Sequence, residues 1–139
     1  MRLAFLFISI FIFFPPFLAS ASVVINEIFY DASGSDEKHE WLEVYNPVSV
    51  TYDLSGWKFF EASVQHSLTL SQGSFSLSSE SYAVIVDDAS TFLNDYPSFS
   101  GNLYDSTFSL SNTGEQISLL DGPSGNTIDS VTYSSSWGG

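Results

Sequence analysis

Two glutamates lie within strand-like segments, where a carboxyl group could act as a general acid or base. Glu27 lies in residues 23–30 and Glu43 in residues 40–46, and strand alternation gives each of them apolar neighbours. Such surroundings raise the pKa of a carboxyl group, as acid–base catalysis requires. No nucleophile or third group completes a site, so we interpret both as edge or sheet-end carboxylates that accept hydrogen bonds from backbone or tyrosine groups.

The other reactive side chains form no known catalytic pattern. His39 and His66 are the only histidines, and the chain has no cysteine. It contains no His-Glu-x-x-His spacing, no Gly-x-Ser-x-Gly elbow and no glycine-rich phosphate loop. We therefore predict no catalytic residue and no organic cofactor in this chain, and we interpret both histidines as surface residues.

One acidic loop has the hard oxygen ligands that calcium prefers. It joins the first two strand-like segments and contains Asp31, Ser33, Ser35, Asp36 and Glu37. The spacing is not that of an EF-hand, because the terminal bidentate glutamate and the glycine offset are missing. We favour a solvated acidic turn whose side chains bond their own backbone, and we keep a weak calcium site as the alternative.

The hydrophobic pattern predicts an all-β chain with one short helix. Short β-branched and aromatic runs, bounded by turn residues, predict strands at residues 23–30, 40–46, 57–61, 66–70, 82–86, 116–120 and 127–133. This spacing is typical of a β-sandwich. Residues 88–96 are predicted to be helical, because Asp88 can cap the segment and Pro97 stops its continuation.

Alternation also predicts which side chains share a face. Ile25, Glu27 and Phe29 are expected on one face of the first strand. Trp41 and Trp57 stand next to a strand and a turn, so we expect both indole rings to be structural and to close the core.

Several short sequence motifs occur in an order that is similar to that of one known family. They are Ile25-Asn26-Glu27, Glu40-Trp41, Glu43, Tyr45-Asn46-Pro47, Asp53-Leu54-Ser55-Gly56-Trp57, Ser111-Asn112, Gly114-Glu115, Ile128-Asp129, and Val131 with Tyr133. In these motifs the chain resembles the lamin tail domain, in its prokaryotic, secreted type. The resemblance implies an immunoglobulin-like β-sandwich of about seven to nine short strands with one short helix. It also implies a module for binding and attachment that is not itself catalytic.

The resemblance further implies one more strand after a Trp-containing loop, whereas this sequence ends at Gly139. We therefore predict one domain over residues 22–139 that lacks its last strand. The alternative is a natural short protein whose sheet ends sooner. An extension beyond Gly139 is expected to stabilise the domain by covering an unpaired sheet edge.

The first residues predict a signal peptide over residues 1–21. Met1-Arg2 gives a short positive region, an apolar run follows, and Ala19-Ser20-Ala21 is a cleavage pattern. The apolar run is interrupted by Pro15-Pro16 and is too short for a spanning helix. We predict cleavage after Ala21 and a secreted or cell-surface protein, with an uncleaved membrane anchor as the alternative.

The composition argues against a nucleic-acid partner. The formal net charge is −13. Removal of residues 1–21 leaves Lys38 and Lys58 against sixteen carboxylates, a formal charge of −14. Nucleic-acid binding relies on lysine and arginine to displace counterions, so DNA is a poor partner. The absence of cysteine means that the fold rests on packing without disulfides.

These observations predict a non-catalytic extracellular module that mediates contacts with a protein or a cell-surface component. The alternative is an accessory domain of a longer secreted hydrolase or nuclease, whose catalytic part lies beyond Gly139. We expect the contact surface to contain the aromatic residues Tyr104, Phe99, Phe59 and Trp137, framed by acidic side chains. The sequence does not indicate the ligand or the oligomeric state.

Overall fold

A computed structural model describes residues 22–122 and 124–137. The predicted signal peptide over residues 1–21 lies outside these described residues. In the described ranges, no helix is long and apolar enough to cross a membrane. The same ranges contain eleven strands, one α-helix and one short 3₁₀ helix.

The elements follow one another in short steps along the chain. The strands are β1 (Val24–Phe29), β2 (Trp41–Tyr45), β3 (Tyr52–Asp53), β4 (Lys58–Glu61), β5 (Val64–Ser67), β6 (Thr69–Gln72), β7 (Ser76–Leu77), β8 (Tyr82–Val86), β9 (Asn102–Asp105), β10 (Gln116–Leu120) and β11 (Thr127–Thr132). The helix α1 spans Ala89–Asp95, and the 3₁₀ helix spans Ser135–Trp137. β3 and β7 have two residues each. The nine longer strands match the upper end of the predicted seven to nine.

The longer strands form two sheets that enclose one core, as an immunoglobulin-like sandwich requires. The five-stranded sheet has the order β1-β2-β8-β9-β6, and the four-stranded sheet has the order β11-β10-β4-β5. Neighbouring strands are antiparallel except β8 and β9. That parallel pair needs a crossover connection, which α1 provides. The predicted all-β sandwich fold is confirmed.

The main hydrophobic core lies between the two sheets. The five-stranded sheet buries Leu42, Val44 and Ile85 there, and the four-stranded sheet buries Phe59, Ile117 and Leu119. Trp57 is 6% exposed and packs edge-on against Tyr52. Its predicted structural position is confirmed.

A second, smaller core lies under helix α1 on the outer face of the five-stranded sheet. Phe92 of the helix packs there with Val84 and Leu103. Asp88 is the N-cap, and its Oδ1 accepts a hydrogen bond of 2.8 Å from the Thr91 N–H. The helix predicted over residues 88–96 is therefore confirmed. Its N-cap is Asp88 and its C-cap is Tyr96.

The first strand contains a β-bulge that changes the predicted faces. The register shifts between Ile25 and Glu27, which leaves Asn26 as the additional residue. Ile25 and Ile28 then both pack against the main core, although they are three positions apart. The prediction that Ile25 shares a face with Glu27 and Phe29 is wrong, because the bulge interrupts the alternation that it assumed.

The strand predicted over residues 66–70 is in fact two strands in different sheets. β5 pairs with β4 in the four-stranded sheet, whereas β6 pairs with β9 in the five-stranded sheet. Leu68 lies between them and is 8% exposed. The chain crosses from one sheet to the other at this buried residue. The residue types of this short segment do not reveal such a crossing.

Candidate functional site

Glu27 and Glu43, the two glutamates considered for acid–base chemistry, lie on the outer face of the five-stranded sheet. Glu27 is exposed and lies directly opposite Glu43 in the β1–β2 ladder. The Asn26 Nδ2 donates a hydrogen bond of 2.8 Å to Glu43 Oε1. Neither carboxyl group is enclosed by apolar side chains, so the apolar surroundings predicted for them are wrong. Glu43 lies in the middle of an interior strand and accepts from a side-chain amide, so the interpretation as an edge or sheet-end carboxylate bonded by backbone or tyrosine groups is wrong for this residue.

Among the described residues, the fold buries the carboxyl groups of Glu40, which immediately precedes β2, and of Glu61 in β4. Glu40 is 3% exposed, and its Oε2 accepts a hydrogen bond of 2.9 Å from the Leu110 N–H. Burial raises the pKa of Glu40 from 4.5 to about 7, and the negative charge of Asp87 adds to the rise. The alternation of β2 could have predicted this burial, because Glu40 lies two and four residues before the buried Leu42 and Val44 and therefore points to the same face.

Asp87 and Asp105 anchor backbone N–H groups around an acidic hollow beside helix α1. Asp87 Oδ2 accepts a 3.0 Å hydrogen bond from the Lys38 N–H, and Asp105 Oδ2 accepts one of 2.8 Å from the Ala89 N–H. Burial raises the pKa of Asp87, although its hydrogen bonds from backbone N–H groups oppose the rise. These carboxylates hold neighbouring segments together.

Glu115, just before β10, and Tyr133, just after β11, form a second anchored pair. Glu115 Oε1 accepts hydrogen bonds from the Ser111 N–H at 2.7 Å and from the Tyr133 hydroxyl at 3.1 Å. Tyr133 is 2% exposed, and burial raises the pKa of its hydroxyl group. A phenol with a raised pKa is a weaker acid and keeps its proton at neutral pH. The pair is suited to holding the chain after β11 in place.

Glu61 and His66 lie side by side in the β4–β5 hairpin. The His66 Nε2 lies 3.0 Å from Glu61 Oε1, although the approach is out of line for a hydrogen bond. Glu61 is 5% exposed, and the His66 ring lies beside that of Phe59. The prediction that His66 is a surface residue is wrong, because the imidazole is 16% exposed. His39 is half-exposed, with its Nδ1 2.7 Å from Asp95 Oδ2.

The acidic loop predicted as a weak calcium site is partly engaged in hydrogen bonds. Asp36 Oδ2 accepts a 2.6 Å hydrogen bond from Asn112 Nδ2, which holds the pKa of Asp36 below its usual value. Among the described residues, no group of three or more acidic or histidine side chains is arranged to hold a metal ion. Calcium binding by Asp31, Ser33, Ser35, Asp36 and Glu37 stays a prediction.

The remaining motif residues shape turns around the core. Asn46 is fully buried, and its Nδ2 donates to the carbonyl groups of Val50 at 2.7 Å and Ser78 at 2.9 Å. Pro47 follows on the exposed side, and Leu54 is fully buried. These contacts fix the path between β2 and β3 by satisfying carbonyl groups that no ladder pairs.

Two motif glycines occupy backbone positions that a side chain would strain. Gly56 has a φ of +84°, just before Trp57. Gly114 has a φ of +105°, and a Cβ at that position would lie 2.5 Å from the Tyr133 carbonyl oxygen. Only glycine adopts such conformations at no steric cost. The motif glycines therefore have a structural role at both turns.

The aromatic surface predicted from the sequence is only partly exposed. Phe59 and Tyr104 are both fully buried, so the prediction that they contact a partner is wrong. Phe59 lies on the inner face of β4, and Tyr104 lies in the core with its hydroxyl group bonded to the Ser74 carbonyl at 2.8 Å. Phe99 is half-buried against Phe92. Trp137 is 62% exposed, as predicted.

Trp137 stands at the mouth of a groove between the edges of the two sheets. We name this the β1–β11 groove; it has a volume of about 240 Å³ and is lined by Ile25, Asn26, Glu27, Ile28, Tyr30, Val131 and Trp137. One hydrogen bond crosses it, from the Ile25 N–H to Asp129 Oδ2 at 2.7 Å. Four of its seven lining residues belong to the short sequence motifs quoted above: Ile25, Asn26, Glu27 and Val131. The groove therefore combines apolar walls, one exposed indole and an exposed carboxylate.

A comparison with known protein families identifies the family to which this chain is similar. The family model described as Lamin Tail Domain matches residues 18–135. The chain belongs to the lamin tail domain family. Lamin tail domains are immunoglobulin-like modules generally involved in binding and interaction, and the family is not catalytic. Neither a curated protein nor a solved structure matches the chain significantly.

Proposed function

We propose that this lamin tail domain is a non-catalytic extracellular module that attaches its polypeptide to a protein or another cell-surface component. The observation that supports this most is the structural use of four buried or half-buried carboxylates. Glu40, Asp87, Asp105 and Glu115 each accept backbone N–H groups of neighbouring segments. Groups engaged in this way hold neighbouring segments of the fold together.

The proposed location outside the cell rests on the leader-like sequence over residues 1–21. Mass spectrometry of exported protein should show a chain that begins at Ser22. Recovery of an intact Met1 in a membrane fraction would contradict the cleavage. The absence of cysteine agrees with a fold that needs no oxidative maturation.

The proposed partner is not a nucleic acid. Lys38 and Lys58 cannot neutralise the several phosphates that non-specific affinity requires. Fluorescence anisotropy with a labelled DNA duplex at low salt is the most permissive trial, because low salt exaggerates any attraction. We expect no binding beyond that of a generic acidic protein. Salt-sensitive micromolar binding would refute the charge argument.

Attachment to the cell surface is tested with the exported protein and intact cells. The protein is labelled with a fluorophore at its N-terminus and mixed with cells of its source, before and after protease treatment of the cell surface. We expect saturable binding that protease treatment reduces. Equal, non-saturating signals for this domain and for an unrelated acidic protein of similar size would contradict the proposal.

The rival function is that of an accessory domain in a longer secreted hydrolase or nuclease. No observation on the described residues favours it, and translation of the source genome beyond Gly139 decides it. A catalytic domain in the same reading frame would make the attachment function a property of that enzyme.

A further inference from the structure

We propose that the β1–β11 groove binds an extended, basic peptide segment of a protein partner, which adds as a strand to the outer edge of β1. This inference rests on the proposed function and names the class of partner. Addition of a strand to an exposed sheet edge is a common mode of peptide recognition, in which the main chain gives affinity and side-chain pockets give specificity.

The backbone of β1 offers hydrogen-bonding groups to such a strand. β1 is the terminal strand of its sheet, and no strand of the described residues pairs with its outer edge. The Ile25 N–H points outward, since it bonds Asp129 on β11. Opposite residues of an antiparallel ladder alternate between hydrogen-bonded and non-hydrogen-bonded pairs. Ile25 faces Val44 and Ile28 faces Leu42. Val44 and Leu42 are two residues apart on β2, so the two pairs are of the same kind. Ile28 therefore also directs its N–H and C=O outward.

The groove also offers a place for an apolar side chain of the peptide. Its volume of about 240 Å³ lies below the roughly 300–1,000 Å³ of typical small-molecule sites. A space of this size suits one or two side chains better than a metabolite. Ile28 and Val131 form its apolar walls, and Trp137 stands exposed beside them. An exposed tryptophan beside a groove is a typical binding anchor.

The charge of the groove favours a basic segment. Glu27 is exposed in its lining, and Asp129 lies across it. Lys38 and Lys58, the basic residues of the described chain, do not line the groove. The net charge of −13 adds a long-range attraction for cations and a repulsion for acidic chains. The same repulsion disfavours a second copy of this chain at the same edge.

The test uses a fluorescein-labelled peptide of alternating lysine and valine, about eight residues long as is usual for a strand. Its affinity for the exported protein is measured by fluorescence anisotropy, beside a peptide in which glutamate replaces lysine. A third peptide has N-methyl groups on alternate residues, which removes the N–H groups of one strand edge. We expect the basic peptide to bind about tenfold or more tightly than either comparison peptide.

Variants of the protein locate the binding surface. Trp137→Ala removes the anchor and should weaken binding of the basic peptide by about tenfold. Tyr82→Ala is its control, because Tyr82 is 50% exposed on β8 outside the groove. Glu27→Gln should flatten the salt dependence, whereas Glu80→Gln, in the turn before β8, should not. Hydrogen exchange should slow at the Ile28 N–H when the basic peptide binds.

Each outcome decides the inference. Equal affinity for the N-methylated peptide, or unchanged affinity of Trp137→Ala, would overturn strand addition at this groove. Sedimentation that shows a dimer dissolved by Trp137→Ala would assign the edge to a second copy instead. If no peptide binds while intact cells still bind the protein, the inference fails and the proposed attachment function stands. If cells do not bind the protein either, the proposed function itself fails.

Discussion

The backbone N–H of Ile25 on β1 donates a 2.7 Å hydrogen bond to Asp129 Oδ2 on β11. This bond joins the terminal strands of the two sheets at one side of the sandwich. The same carboxylate holds its own strand, since Oδ1 accepts from the Ser130 N–H at 2.9 Å. A motif residue that the resemblance pointed to thus acts as a link between sheets.

Asp129→Ala should lower the free energy of unfolding by about 2 kcal/mol, the typical contribution of a hydrogen bond to a charged group. The Ile25 N–H loses its acceptor at the sheet edge. Urea-induced unfolding measures the change. Asp31→Ala is the matched control, because it removes the same charge from the exposed loop before β2. Equal midpoints for both variants would show that the bond between the sheets has no measurable effect.

Stability should fall as the pH rises from about 4.5 to about 7, because of Glu40. The folded pKa of Glu40 is raised to about 7, so the folded state holds a proton that the unfolded chain has already released. The contribution is fully present below pH 4.5 and is lost as the pH rises through 7. Asp87, whose pKa is also raised, acts in the same direction.

Glu40→Gln should remove most of that pH dependence, a change on the order of 2 kcal/mol between the two ends of the window. Thermal melts in buffers across the window measure it. Glu80→Gln is the control, because Glu80 is exposed and should leave the slope unchanged. A wild-type protein that is more stable at pH 7 than at pH 5 would contradict the assignment.

Trp57→Ala should cost roughly 3–5 kcal/mol, enough to unfold much of a marginally stable domain. Trp57 is 6% exposed, and its ring packs against Tyr52. Trp41→Ala should cost less, because Trp41 is only half-buried, in the core under helix α1. Urea melts compare the two variants. A larger loss for Trp41→Ala would mean that the helix-covered core contributes more to stability than the core between the sheets.

Calcium should stabilise the domain weakly at most. The loop of Asp31, Ser33, Ser35, Asp36 and Glu37 would bind in the millimolar range, as weak extracellular sites do, and Asp36 already accepts a hydrogen bond from Asn112. Thermal melts with and without millimolar calcium measure the effect. Asp31→Asn serves as the control for any rise. A rise of many degrees that Asp31→Asn abolishes would establish a true calcium site.

Local signals determined the parts of this protein that depend on neighbours along the chain. The helix follows from the capping side chain of Asp88 and the stop at Pro97, and both act within a few residues. The buried and half-buried alternation of β2 needs only the period of a strand. The sequence motifs from Asn26 to Asp129 were sufficient to indicate the family and hence the sandwich.

The tertiary structure decided whatever depends on partners distant along the chain. Glu40 is buried and has a raised pKa because Leu110 and Asp87 lie beside it, and the sequence alone does not show that approach. The bulge at Asn26 and the sheet crossing at Leu68 depend on which strands pair. Tyr104 is buried for the same reason, since β9 lies inside the five-stranded sheet. Strand pairing joins residues far apart in sequence, and a local pattern of residue types cannot specify it.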